Sequence, residues 1–151
     1  MENCIFCKIA ANQVPSYKVW EDAQYMAFLT PFPNTEGFTV VIPKVHYGSY
    51  IFEAPDSVLT GLVIAARAVA LKIDRAFSDV GRTGLIFEGF GVDHLHAKLF
   101  PMHGTADSEW KQRASNVDKY FEHYEGYISS HDFKAADPER LKAVALRIAN
   151  A

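Results

Sequence analysis

The sequence predicts an α+β fold in which an antiparallel sheet packs against one long helix. Three patterns support this prediction. Short apolar segments alternate with tight turns over the first two thirds of the chain, one long helical periodicity interrupts them, and a second helix start lies near the C-terminus. Strands joined by short turns pair antiparallel, whereas a parallel sheet requires a crossover after each strand. We therefore expect a single domain over residues 1–151.

Three strands open the predicted sheet. Residues 17–20 and 24–29 are rich in aromatic and apolar side chains, and residues 21–23 form the turn between them. Two prolines and a glycine then break both periodicities over residues 30–37, which we expect to form a loop able to wall a pocket. The next predicted strand covers residues 38–43.

The longest predicted element is a helix that begins at Pro55-Asp56-Ser57 and continues to about Phe77. Aliphatic residues recur through it at helical spacing, which predicts one face buried against the sheet. We interpret this stripe as core and not as a cofactor site. Residues 81–84 then turn the chain into a strand at 85–88, and three further residues lead to the next strand.

Beyond Pro101 the pattern is weaker. Residues 110–124 are charged and aromatic, and residues 126–130 can form a strand. Asp137 and Pro138 match the N-cap and first helical position of a final helix, which we expect to run to Ile148. The chain from about residue 105 onward is therefore predicted to be a C-terminal helical extension of the single domain.

Charge and hydropathy exclude several classes of protein. The formal net charge is −3, so the basic stripe needed for broad nucleic-acid binding is not expected. The first residues lack a basic segment followed by a long apolar core, and no run approaches the roughly 18 apolar residues of a membrane span. We expect a cytoplasmic protein with neither nucleic acid nor membrane as a partner.

The segment VDHLHAKLFP, residues 92–101, carries the strongest functional pattern. On a strand, His94, His96 and Lys98 lie on one face, and the other face carries Leu95, Ala97 and Leu99. A single histidine on a half-buried strand is ordinarily a hydrogen-bonded structural residue. Three polar side chains at alternate positions are costly to bury without partners or a function. We therefore predict an active-site strand with a cation suited to a phosphate.

The two cysteines of the chain stand as Cys4-x-x-Cys7. Two thiolates at this spacing form half of a tetrahedral zinc site, and two imidazoles complete it, for which His46 and His94 are the candidates. A redox CxxC ordinarily follows a strand, whereas only three residues precede Cys4. A disulfide framework is not expected from so few cysteines. A redox pair and cysteines without a ligand stay open as alternatives.

The alternating segment resembles the signature of the histidine triad (HIT) superfamily of nucleotide hydrolases and transferases. Further segments are similar to that family in the same order over roughly the first two thirds of the chain: CIFCKI at 4–9, WED at 20–22, AFL at 27–29 and VVIPKVH at 40–46. The resemblance implies a HIT-like sheet with a central helix and a homodimer. In the branch that carries CxxC, it implies structural zinc held by Cys4, Cys7, His46 and His94.

The resemblance also implies a mechanism. His96 matches the middle position of the signature, where the nucleophile attacks an α-phosphorus to form a covalent nucleotidyl-histidine. Lys98 stands in place of the third histidine, where an ammonium stabilises charge on the transferring phosphoryl oxygens. Some transferase branches carry Gln there. His103 is either a replacement acid or a histidine of a surface loop. The implied activity is that of a nucleotide hydrolase or nucleotidyltransferase, with the hydrolase favoured.

Six residues are predicted to contact a nucleotide or nucleotide conjugate: Phe6, Phe28, Thr30, Asn34, Gly89 and Gly91. The two phenylalanines either stack on a base or fill the core. Thr30 stands where the family has an acidic ribose contact, and Asn34 lies in the same loop. The two glycines either bring backbone N–H groups close to a phosphate or only turn the chain.

Two other functions remain open from the sequence. The first is a zinc-stabilised protein that binds nucleotides with little or no turnover, because Lys98 and the shortened glycine loop depart from the family pattern. The second is an interaction protein based on dimerisation. Retention of His96 favours the enzyme.

Overall fold

The computed structural model describes residues 3–113, 120–124 and 134–151. Five strands form one sheet, and every pairing in it is antiparallel. The strands are β1 (Tyr17–Glu21), β2 (Tyr25–Leu29), β3 (Thr39–Pro43), β4 (Thr83–Ile86) and β5 (Ala97–Pro101), in the order β1-β2-β3-β5-β4. The described helices are α1 (Ile5–Ala10), α2 (Asp56–Ala76) and α3 (Pro138–Ala149), with a single 3₁₀ turn at Ile51–Glu53. The predicted α+β fold is confirmed.

The larger core lies between one face of the sheet and the helices α2 and α3. The buried side chains of α2 recur at helical spacing and confirm the predicted stripe: Leu62, Ala65, Ala66, Val69, Ile73 and Ala76. The helix approaches β2 closely, because a Cβ atom at Gly61 would lie 2.1 Å from the Tyr25 hydroxyl oxygen. That hydroxyl donates a hydrogen bond to the Val58 carbonyl and joins helix to strand.

A smaller core covers the opposite face of the sheet. It contains Phe28, Phe38, Val40 and Ile42, and the short helix α1 packs over it through Ile9. The helix α1 was not expected from the sequence, because its six residues are too few to form a stable helix by themselves. Contacts with the sheet therefore hold α1 in place, and these contacts position Cys4 and Cys7 near its start.

The strand that carries the signature is shorter than predicted. Residues 92–95 form a turn in which the His94 N–H contacts the Val92 carbonyl, and the Leu95 N–H donates to Tyr47. Strand β5 begins only at Ala97, but the alternation of faces holds, because Leu95, Ala97 and Leu99 lie in the larger core. The prediction of strand geometry from residue 92 is therefore wrong, while the division of the side chains between two faces is confirmed.

The prediction for β4 is displaced by two residues. The strand covers residues 83–86 instead of 85–88, and the last pair joins Ile86 to Lys98. In this register residue 88 would lie past the start of β5 at Ala97, while the far end of β5 reaches Pro101 and extends the pairing back to Thr83. Thr83 and Gly84, predicted as part of a turn, pair with Pro101 and Phe100.

The C-terminal helix α3 confirms the predicted start signal. The Asp137 side chain accepts a hydrogen bond from the Arg140 N–H at 3.0 Å, and Pro138 is the first helical residue. The predicted strand at residues 126–130 lies outside the described residues. Within the described part of the chain, no helix combines the length and apolar character needed to span a bilayer.

Candidate active site

Four predicted metal ligands converge where α1 meets the end of β3. Cys4 caps α1 and Cys7 follows one turn later, so both sulfurs face the same side of the helix. His46 follows β3, and His94 lies in the turn before β5. One ligand atom from each residue lies within 4.8 Å of every other, which makes this a group able to hold a metal ion.

The spacing of the ligand atoms fits a tetrahedral zinc site. Tetrahedral angles and ordinary Zn–S and Zn–N bond lengths place sulfur about 3.5 Å from nitrogen and the two nitrogens about 3.3 Å apart. The Nδ1 atom of His94 lies 3.4 Å from the Cys4 sulfur and 3.5 Å from the Cys7 sulfur. Its distance from the His46 Nδ1 is 3.3 Å.

The hydrogen bonds of His94 leave the correct nitrogen free for a metal. Its Nε2–H donates to the Pro43 carbonyl at 2.9 Å, so Nδ1 carries the lone pair that faces the sulfurs. Burial lowers the pKa of His94, although the Pro43 carbonyl acts in the opposite direction. Burial and the neighbouring Cys4 thiol raise the pKa of Cys7. A cation bound between the two sulfurs would remove that obstacle to thiolate formation.

His96 is held in the tautomer that a nucleophile requires. Its Nδ1–H donates to the backbone carbonyl of His94 at 2.7 Å, which leaves the lone pair on Nε2. Burial lowers the pKa of His96, and the Lys98 charge contributes in the same direction. The side chain lines a cavity of about 580 Å³, the size of a small-ligand site. A neutral imidazole with a free Nε2 can therefore meet a bound ligand there.

Lys98 lies beside His96 on the same face and forms an ion pair that the sequence analysis missed. Its Nζ lies 2.7 Å from the Glu88 Oε2, and the exposed fractions of the two side chains are 11% and 6%. The other oxygen of Glu88 accepts a hydrogen bond from the Phe90 N–H at 2.7 Å. The signal that could have revealed this pair is the hairpin of β4 and β5, which places a carboxylate near the lysine.

The cavity lies on the face of the sheet covered by α1, and most of its walls are apolar. Phe6 forms edge-on contacts with Phe28 and His96, with ring centroids 5.5 and 5.4 Å apart respectively. Both phenylalanines line the cavity, as do Thr30 and Gly91. The hydroxyl oxygen of Thr30 accepts a hydrogen bond from the Phe32 N–H at 3.3 Å. Four of the six predicted substrate contacts are therefore placed at the cavity.

The other two predicted contacts lie elsewhere. Asn34 lines separate hollows beside α3 and β4, and its buried Oδ1 has no hydrogen-bond partner among the described residues. Gly89 does not line the cavity. Its φ is +76°, and a Cβ atom at this position would lie only 2.9 Å from the Ser49 carbonyl oxygen. The turn itself therefore requires glycine here. Loop membership and glycine spacing did not indicate which way each residue faces.

His103 is tied into a structural contact. Its Nδ1 lies 3.1 Å from an Asp79 carboxylate oxygen, and its Nε2 lies 3.0 Å from the Glu36 carbonyl. The ring also packs edge-on against Phe77. His103 is absent from the lining of the cavity that contains His96, so the alternative of a loop histidine fits the structure better than that of a replacement acid.

Comparisons with known proteins place this site in a family context. A family model described as the HIT domain matches residues 11–105. The chain is 36% identical over 122 residues to Protein hit from Bacillus subtilis. That alignment covers 76% of this chain and 83% of the relative. The chain is also 36% identical over 121 residues to adenosine 5′-monophosphoramidase HNT1 from Saccharomyces cerevisiae, with 77% and 75% covered respectively.

The fold is likewise similar to a solved structure. A hypothetical histidine triad nucleotide-binding protein from Sulfolobus tokodaii superposes with a TM-score of 0.72 at 26% identity. The alignment covers 97% of this chain and 90% of that one.

Proposed function

This chain belongs to the HIT domain family, and on that basis we propose that it is a nucleotide hydrolase or nucleotidyltransferase, with hydrolysis favoured. The observation that carries the proposal is the buried His96, whose Nδ1–H is fixed by a carbonyl while its side chain lines a ligand-sized cavity. The relative from Saccharomyces cerevisiae is named an adenosine 5′-monophosphoramidase, which supports an α-phosphorus as the reacting centre.

The proposed reaction has two displacements. The lone pair of the His96 Nε2 forms a bond to the α-phosphorus, and the bond from phosphorus to the leaving group breaks with its electron pair on that group. The leaving group takes up a proton from solvent water as it departs. In hydrolysis a water oxygen then attacks the phosphorus and gives up a proton to solvent. The N–P bond breaks with its electron pair on Nε2, which restores His96 and releases a nucleoside monophosphate. In transfer, another acceptor replaces water.

The other cavity residues are assigned supporting roles. Lys98 stabilises negative charge on the phosphoryl oxygens during each displacement. Phe6 and Phe28 offer apolar surface to the nucleobase, and Thr30 and Gly91 contact the sugar and phosphate. The positions of Asn34 and Gly89 do not support direct contact with a ligand in this cavity.

We assign structural zinc to Cys4, Cys7, His46 and His94 on the basis of the ligand set, its spacing and the free Nδ1 of His94. When bound, the ion supplies a crosslink between the start of α1 and the two segments that follow β3 and precede β5. All four positions are filled by protein, as in structural zinc sites, so the phosphoryl chemistry is assigned to His96. A homodimer and a cytoplasmic location, without nucleic-acid or membrane partners, remain expectations.

The proposal is tested by trapping the intermediate. The protein is mixed briefly with a panel of adenylyl and guanylyl phosphoramidates and dinucleoside polyphosphates, denatured under alkaline conditions, digested and analysed by mass spectrometry. We expect a nucleotidyl adduct on His96. His96→Ala should abolish both the adduct and turnover, whereas His123→Ala, which changes an exposed histidine, should retain both.

Turnover by His96→Ala equal to that of the wild type on every active substrate would contradict the assigned nucleophile. Nucleotide binding by the wild type without adduct or turnover would instead identify the zinc-stabilised binding protein. Steady-state assays and equilibrium binding on the same preparations distinguish these results.

A further inference from the structure

The ion pair between Lys98 and Glu88 balances the charge of the described lining of the cavity. Among the described residues that line the cavity, these two are the side chains that carry full charges at neutral pH. Their charged atoms lie 2.7 Å apart, and both side chains are nearly enclosed. Solvent and salt screen such a buried pair weakly, so a ligand near Lys98 also experiences the Glu88 carboxylate.

Backbone contacts fix the position of Glu88. Its Oε1 accepts from the Phe90 N–H while its Oε2 faces Lys98. Gly89, between Glu88 and Phe90, adopts the left-handed conformation that closes this small loop. Because both oxygens have partners within the protein, the carboxylate cannot turn away when an anion enters without breaking one of these contacts.

Because of this ion pair, we expect the cavity to bind singly and doubly charged phosphates with different affinities. For one negative charge, repulsion by Glu88 offsets part of the attraction by Lys98, and hydrogen bonds and apolar contacts supply the rest of the binding energy. A second negative charge has no unpaired cation in the described lining to compensate for its loss of water. The cavity therefore penalises dianions.

From this geometry we infer that Glu88 is a specificity-determining residue that selects ligands whose reacting phosphate carries one negative charge and disfavours phosphate dianions. The inference rests on the proposed function, since it concerns the same cavity. Phosphoramidates, phosphodiesters and the α-phosphate of polyphosphates carry one charge on the reacting phosphate. A phosphomonoester is a dianion at neutral to alkaline pH.

This selectivity also favours product release. Hydrolysis of a singly charged phosphoryl centre yields a nucleoside monophosphate, whose phosphate loses a second proton above about pH 6. The product phosphate then carries two negative charges, which the cavity disfavours, whereas the reacting phosphate of the substrate carries one.

The test compares two ligands that differ by one charge on the same nucleoside. Binding of adenosine 5′-monophosphate and of its 5′-phosphate methyl ester is measured by calorimetry at pH 8, with the full-length protein loaded with zinc. We expect the wild type to bind the ester more tightly. In Glu88→Gln the ratio of the two dissociation constants should shift toward the monophosphate by about tenfold, because the repulsive charge is removed.

Three further variants separate charge from structural damage. Lys98→Met should shift the ratio in the opposite direction, and the double variant Glu88→Gln/Lys98→Met should return it toward the wild-type value. Glu53→Gln, at an exposed glutamate in the 3₁₀ turn, should leave the ratio unchanged. If Glu88→Gln does not fold, the comparison of Lys98→Met with the wild type still tests the charge balance.

Each result bears on the inference. Opposite shifts in the two single variants support it. Equal ratios in the wild type, Glu88→Gln and Lys98→Met would overturn it and leave the proposed nucleotide site intact. Binding of neither ligand to the wild type would overturn both the inference and the nucleotide site assigned to this cavity.

Discussion

Lys98 is nearly enclosed by protein, and its ion-pair partner among the described residues is Glu88. The Glu88 carboxylate lies at hydrogen-bond distance, and 11% of the lysine side chain is exposed. Removing one member of such a pair leaves the other charged, buried and without its compensating partner. The pair is therefore both a feature of the cavity and a determinant of stability.

We predict that Lys98→Met lowers the free energy of unfolding by about 3 kcal/mol, because the nearly enclosed Glu88 carboxylate loses the ammonium beside it. Urea unfolding monitored by circular dichroism measures the change. The control is Lys111→Met, which removes a lysine from an exposed pair with Asp107 and should change stability by less than about 0.5 kcal/mol. If both variants lost the same free energy of unfolding, the buried pair would not stabilise the protein more than the exposed pair does.

Individual residues were predicted from the sequence to different degrees. The four residues that could hold a metal were predicted because CxxC spacing and ligand chemistry suggested half of a zinc site, and the family resemblance implied the two histidines. Glu88 was missed because its partner is defined by the pairing of β4 and β5, which local sequence does not specify. Asn34 was placed in the substrate site from its loop alone, whereas the structure places it beside α3 and β4.

At the scale of elements, the helix α1 connects the metal ligands to the cavity. Cys4 and Cys7 lie at its start, while Ile5, Phe6 and Ile9 contribute to the cavity wall. A helix of six residues does not persist without tertiary contacts. This helix was not expected from the sequence, because apolar packing more than helix propensity holds the segment in place.

We predict that Cys7→Ser removes the zinc and loosens α1. Wild-type protein should contain one zinc per chain by elemental analysis. The variant should contain little and should show faster amide hydrogen exchange at residues 5–10, since loss of the crosslink permits local opening. His123→Gln changes a histidine outside the ligand cluster and should keep its zinc. Full zinc occupancy in Cys7→Ser would exclude the assigned site.

The boundaries of β4 and β5 show how pairing overrides local pattern. The segment before Ala97 alternates as a strand does, yet the Leu95 N–H bonds to Tyr47 outside the sheet ladder. The end of β4 moves accordingly, because a strand extends only as far as its partner. The alternation of faces survives this change, which is why His96 and Lys98 were assigned to the same side.

At the scale of the whole molecule, the sheet separates two environments. Helices α2 and α3 cover one face, and the cavity with its ion pair occupies the other. This layering was predictable because helical and strand periodicities are strong in this chain. The helix α2 nevertheless leaves apolar side chains at the surface, among them Ile64 and Leu71. A second chain could cover such apolar surface.

We predict that the protein is a homodimer. Its sedimentation mass should be about 33.8 kDa, twice the 16.9 kDa of one chain, because pairing is implied by the family and would cover apolar surface of α2. Analytical ultracentrifugation at several concentrations measures this mass. A value that stays near 16.9 kDa across the concentration range would exclude a stable dimer.

The position of α1 would link the affinity for the proposed metal to the affinity for the proposed ligand. The same helix carries two ligands of the proposed ion and three side chains of the cavity wall. If the ion orders that wall and so tightens nucleotide binding by some factor, nucleotide must tighten retention of the ion by the same factor. A protein depleted of zinc would then hold nucleotide weakly without any change at His96, and saturating nucleotide would protect the ion against a chelator.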